Sequence, residues 1–98
     1  MLGCATSGVM GTSQVVTASR CKLVSVHVTS NSSDTNTIKI FDNASAASGT
    51  EIVRINTNAA NNVTAFNMEY DMHGVLAANG LYCQITGSGS CSVTVNHA

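Results

Sequence analysis

Val63-Thr64-Ala65-Phe66-Asn67-Met68-Glu69-Tyr70-Asp71-Met72 alternates almost without interruption. Successive side chains of a β-strand point to opposite faces of its sheet. Thr64, Phe66, Met68, Tyr70 and Met72 therefore share one face, and Val63, Ala65, Asn67, Glu69 and Asp71 share the other. The first set carries the large apolar side chains and is the face expected on the core. Helical spacing, with apolar residues three and four apart, is absent from this stretch and from every other window of 11 residues or more. The nearest candidate, Asn58-Ala59-Ala60-Asn61-Asn62, is too short and too rich in Asn to be a helix.

Similar signals recur on both sides at intervals of about 10–15 residues, the spacing of a sandwich or small barrel. Gln14–Ala18 reads as a short strand. Arg20–Thr29 reads as a longer one, with Val24, Val26 and Val28 on one face and Leu23, Ser25 and His27 on the other. After a polar turn at Asn31–Asn36, Thr37–Asp42 places Ile38 and Ile40 together. Asn43–Gly49 is a small-residue loop, and Thr50–Thr57 alternates Val53 and Ile55 with Ile52 and Arg54. Gly74–Ala78 is a short strand or turn, followed by the turn dipeptide Asn79-Gly80.

Leu81–Thr86 and Cys91–Asn96, joined by Gly87-Ser88-Gly89-Ser90, read as a terminal antiparallel hairpin burying Leu81, Cys83 and Ile85 with Cys91, Val93 and Val95. Seven or eight short strands in 98 residues predict an all-β fold, a compact antiparallel β-sandwich of jelly-roll or Greek-key type. The expected core is Val24, Val26, Ile38, Ile40, Val53, Ile55, Phe66, Met68, Tyr70, Leu81, Cys83, Ile85, Val93 and Val95. Residues 1–13, rich in Gly, Ser and Thr, read as an extended N-terminal arm preceding one sandwich domain over 14–98.

Composition narrows the function. Charged residues are 9% of the chain, against about 25% in ordinary soluble domains. With a net charge of -1, like copies repel one another little. Arg20, Lys22, Lys39 and Arg54 form no basic run, which argues against nucleic acid as a partner. No apolar stretch approaches the ~20 residues that span a membrane. Met1-Leu2-Gly3-Cys4-Ala5 ends like a lipoprotein cleavage box but lacks the charged and apolar regions of a signal peptide, so synthesis in a cytosol is expected.

No catalytic, metal-binding or cofactor-binding constellation emerges. Cys4, Cys21, Cys83 and Cys91 contain no C-x-x-C pair. Across a hairpin turning at Gly87–Ser90, Cys83 and Cys91 would be offset, so reduced thiols acting as small apolar groups are favoured over a disulfide. His27, His73 and His97 are scattered, and no G-x-S-x-G elbow is present. Asp34-Thr35-Asn36 and Asp42-Asn43 resemble fragments of a calcium loop without its glycine and closing glutamate. Three Asn-x-Ser/Thr tripeptides, at Asn31, Asn43 and Asn62, are within what chance supplies in so Asn- and Ser-rich a chain.

Phe41-Asp42-Asn43-Ala44-Ser45-Ala46-Ala47-Ser48-Gly49-Thr50-Glu51-Ile52-Val53 resembles a pattern in small virion proteins of tailed bacteriophages, where a short strand precedes a small-residue turn ending in Gly-Thr. Its companion is Asn79-Gly80-Leu81-Tyr82-Cys83-Gln84-Ile85-Thr86-Gly87 with the final strand Val93-Thr94-Val95. The similarity spans roughly residues 21–96 and consists of turns and strands, with no active-site signature. It implies a non-enzymatic virion structural protein, a capsid decoration (cement) protein found in many copies on a particle. The expected partners are copies of itself, with a trimer favoured, and a major capsid or other virion protein. The arm residues Met1, Leu2, Val9 and Met10, with an edge strand, are the expected contacts. The alternative is a receptor- or carbohydrate-binding β-sandwich module acting through loop residues such as Asp42 and Asn43.

Overall fold

A computed structural model describes residues 4–30, 35–57, 66–87 and 91–98, with the Phe66 side chain outside that description. Eight strands follow in order: β1 (Ala5–Met10), β2 (Gln14–Thr17), β3 (Cys21–Ser30), β4 (Asn36–Asp42), β5 (Thr50–Thr57), β6 (Phe66–Ala77), β7 (Leu81–Gly87) and β8 (Cys91–His97). They form two four-stranded antiparallel sheets, β1-β8-β3-β6 and β2-β7-β4-β5. Strand 1 pairs with 8, 2 with 7, 3 with 6 and 4 with 5, as in one long hairpin rolled into two layers. That is the jelly roll, and the all-β sandwich expected from the alternation is present.

The inward faces meet in one apolar core. Leu23, Val26, Val28, Ile38, Ile40, Leu81, Cys83, Val93 and Val95 are fully buried, and Met10 and Ile55 nearly so. Val53, Tyr70, Met72 and Ile85 pack against this cluster while partly exposed. Ser30, Asn36 and Thr57 are the buried polar side chains among the described residues. They bond to one another: Asn36 Nδ2 donates to Ser30 Oγ at 3.1 Å, and the Asn36 N–H donates to Thr57 Oγ1 at 3.0 Å. The unmet hydrogen-bonding cost of burying them is thereby reduced, and β3, β4 and β5 are linked.

Four sequence expectations change. Val24 is half-buried rather than a core residue, because it is the extra residue of a bulge in β3. Leu23 pairs with His97 and Ser25 with Asn96, so Val24 has no partner on β8 and the alternation reverses phase across it. Leu23 and Val26 consequently both point inward. Met68 keeps the parity of Tyr70 and Met72 but is 47% exposed, because β6 is the outer strand of its sheet and has no neighbour on one side.

Residues 5–10 are not a free arm. They form β1, hydrogen-bonded to β8 of the same chain, with Met10 in the core at 2% exposure. Met1 and Leu2 lie outside the described residues. Finally, β7 and β8 are not a hairpin pair. They belong to opposite sheets, so Cys83 and Cys91 both enter the core, one from each layer.

Candidate interaction surface

Among the described residues the sandwich has four open edges: β1 and β6 in one sheet, β2 and β5 in the other. Every large hydrophobic side chain that is exposed among the described residues lies on one of three of them. Val9 is on β1, Val15 on β2, and Met68, Val75 and Leu76 on β6. The central strands β3, β4, β7 and β8 contribute none. Unpaired edge backbone is an invitation to another strand, and proteins blunt it with charge, shortness and bulges.

Shortness and bulges do not separate these edges cleanly, since each carries a register irregularity. Charge does. On one side, β5 carries Glu51 and Arg54 and β6 carries Glu69 and Asp71. Arg54 grips Glu51 through two bonds, Nε to Oε2 at 2.7 Å and Nη2 to Oε1 at 2.9 Å. That guanidinium holds the Glu51 carboxyl below its ordinary range, and the carboxylate raises Arg54 in turn. On the opposite side, residues 1–19 contain no Asp, Glu, Lys or Arg, so both β1 and β2 are free of charge.

The charge-free side is firmly fastened to the fold by serine hydroxyls. At the Ser7-Gly8 bulge the Val95 N–H donates to Ser7 Oγ at 2.9 Å, and the Ser7 hydroxyl donates to the Gly8 carbonyl at 2.7 Å. Gly8 takes a φ of 71°, a backbone state that glycine adopts without strain. Just before β2, Ser13 Oγ accepts the Ile85 N–H at 2.8 Å and donates to the Ile85 carbonyl at 3.3 Å. Val9 stands opposite Thr94, and Val15 opposite Tyr82, so these valines project from the outer faces at the two rims of this side.

The other residues singled out in the sequence have structural duties. Asp42 accepts the N–H groups of Ala78 and Asn79 at 3.1 and 2.8 Å, closing the β6–β7 turn. Asn43 Oδ1 accepts the N–H groups of Ser45 and Ala46, while its amide donates to Ser48. Asp42 thus organises the β6–β7 turn, and Asn43 its own loop. Asp34 lies outside the described residues.

His27 bonds Asn67 across the outer face at 2.7 Å, and His73 sits in the β6 bulge at φ 55° with its N–H donated to Asp71. Among the described residues no three His, Cys, Asp or Glu side chains gather as metal ligands would. Two shallow grooves mark the first sheet: one is lined by Arg20, Cys21, Lys22, Leu76 and Ala98, the other by Val24, Ser25, Glu69 and Asp71. Ser25 Oγ in the second accepts a bond from Asn96 Nδ2 at 2.9 Å.

None of the four cysteines forms a disulfide; Cys4 is exposed and the other three are buried. Burial, and secondarily the nearby Cys91, push the Cys83 thiol up to about 12, and burial followed by the Asp42 charge raises Cys21. A thiol held neutral is a poor nucleophile and a good packing group.

The edges escaped the sequence reading because edge position is a property of topology, which periodicity does not encode. The signal that was available is the absence of any charge before Arg20. Compared with known protein families, with curated proteins and with solved structures, the chain matches none of them.

Proposed function

We propose that the chain is a non-enzymatic virion structural protein, a capsid decoration protein that associates with copies of itself and with the surface of a particle. The observation that carries the reading is the uncharged β1–β2 side, which offers two open sheet edges and nothing to repel a neighbour. The jelly roll supports it by analogy of fold: this architecture serves in capsid and lectin domains, although a fold alone does not assign a function. The sequence resemblance to small phage virion proteins favours the capsid side of that pair. The lectin-like alternative loses its named residues, since Asp42 and Asn43 use their polar groups within the fold.

The test is size-exclusion chromatography with light scattering on the pure chain across a concentration series. Self-association gives a mass that is a multiple of 10.1 kDa. A mass of one chain at every concentration up to the solubility limit overturns the reading.

A further inference from the structure

Resting on that reading of self-association, we infer that the β1–β2 side is a two-fold interface at which the same ribbon of a second copy of this chain docks. The ribbon runs from Cys4 to Thr17 and joins the outer strands of both sheets through residues 11–13. It therefore presents an open edge of each sheet, with Val9, 77% exposed, on one and Val15, 39% exposed, on the other.

The occupant follows from charge. A two-fold axis brings a patch against its own copy, so a patch dominated by one sign of charge meets the same sign again. The ribbon carries none and meets itself without penalty. The opposite side fails the same test, because β6 presents Glu69 and Asp71, both exposed, and self-pairing would set these acids against acids.

A head-to-tail contact, ribbon against β5–β6 side, is disfavoured for a different reason. It would take the carboxylates of Glu69 and Asp71 out of water against a ribbon that supplies no cation. Removing those two arrangements leaves ribbon on ribbon. Such a contact is self-complementary in its backbone too, since edge N–H and C=O groups alternate along each strand and an antiparallel partner satisfies both. A two-fold contact closes at two copies, so this interface makes a dimer where the sequence analysis expected a trimer.

The experiment compares the wild-type chain with Val9→Lys, Val15→Lys and Met68→Lys by sedimentation equilibrium, with circular dichroism to verify folding. Each of the three substituted side chains is already solvent-exposed, so a lysine there is compatible with the fold. The wild type should have twice the 10.1 kDa chain mass. Val9→Lys and Val15→Lys should each weaken the dimer by about tenfold or more, because a lysine on an edge strand opposes strand pairing and the two-fold repeats its charge on the facing copy. Met68→Lys, on the other side, should leave the mass unchanged. A wild-type assembly that ignores both valine substitutions, or is dissociated by Met68→Lys, overturns this interface while leaving self-association standing. A wild-type trimer overturns the two-fold, and a wild-type monomer removes the underlying reading itself.

Discussion

The two sides of the sandwich solve the same problem in opposite ways. The β5–β6 side has the long edge, with β6 running over 12 residues, and it guards that length with carboxylates, an Arg54–Glu51 ion pair and a bulge at His73-Gly74. The β1–β2 side has strands of 6 and 4 residues and no charge at all. Its security comes from attachment, through the core side chain of Met10 and the hydroxyls of Ser7 and Ser13. One side is kept apart from other chains by its charges. The other is tied to its own fold by Met10 and two serine hydroxyls while being left open to other chains. An edge that is hydrogen-bonded in place on one side and unguarded on the other is preorganised for a partner, since its backbone is already extended for pairing.

The sharpest test of that contrast uses two glycines. Gly80, at the turn into β7, has φ 137°, and a Cβ there would stand 2.5 Å from the Thr17 carbonyl oxygen of β2. Gly80→Ala must push backbone away from backbone, and we expect a loss of about 3 kcal/mol or more. Gly74, in the β6 bulge, has φ 77° with nothing nearer than the Lys22 side chain at 3.8 Å. Gly74→Ala should cost only the left-handed strain, about 1 kcal/mol. Urea unfolding of both variants checks this, and equal losses would mean that the turn into β7 is not held against β2 as closely as the Gly80–Thr17 approach indicates.

How far the sequence showed this is a matter of where the alternation is unbroken. Thr50–Thr57 and the strand starting at Leu81 emerge at their observed positions because nothing interrupts their period of two. β1 was missed because Ala5, Thr6, Ser7 and Gly8 carry little apolar signal and the bulge at Ser7-Gly8 puts Val9 outside and Met10 inside. Alternation alone puts Val24 in the core, because a bulge is a property of pairing between strands, invisible within one of them. β7 and β8 looked like a hairpin because sequence proximity favours pairing, whereas the jelly roll places them in facing layers. The interaction surface was legible in part: the uncharged first nineteen residues are plain, but that they form both edges of one side is not.

Two methionines give the next comparison. Met10 ends β1 at 2% exposure and Met68 lies on β6 at 47%. Truncating a buried methionine removes its transfer free energy and leaves a cavity, so Met10→Ala should cost about 3 kcal/mol. Met68→Ala removes contacts that water already shares and should cost under about 1 kcal/mol. Thermal or urea denaturation of the two variants decides whether β1 is an integral strand. A Met10→Ala loss as small as that of Met68→Ala would return residues 5–10 to the status of an arm.

The smallest effects separate neutral from ionic fastening. Ser7→Ala strips the Val95 N–H of its acceptor at the β1 bulge, and an unmet donor of this kind costs about 1 kcal/mol. No ionisable group takes part, so the loss should be the same at any pH where the fold persists. On the other side, Arg54→Gln removes the guanidinium that lowers the Glu51 carboxyl. A carboxyl lowered on folding adds stability that is present above its unfolded value, about 4.5, and disappears as pH falls through the lower folded value. The Arg54→Gln defect should therefore be visible at neutral pH, shrink under acid and fade with added salt, and because both side chains are open to solvent it should be smaller than that of Ser7→Ala. Urea midpoints measured at neutral and acid pH, with and without salt, read both variants in one series. A Ser7→Ala loss that varies with pH, or an Arg54→Gln loss that does not, would mean that the two sides are not held by the different forces their residues indicate.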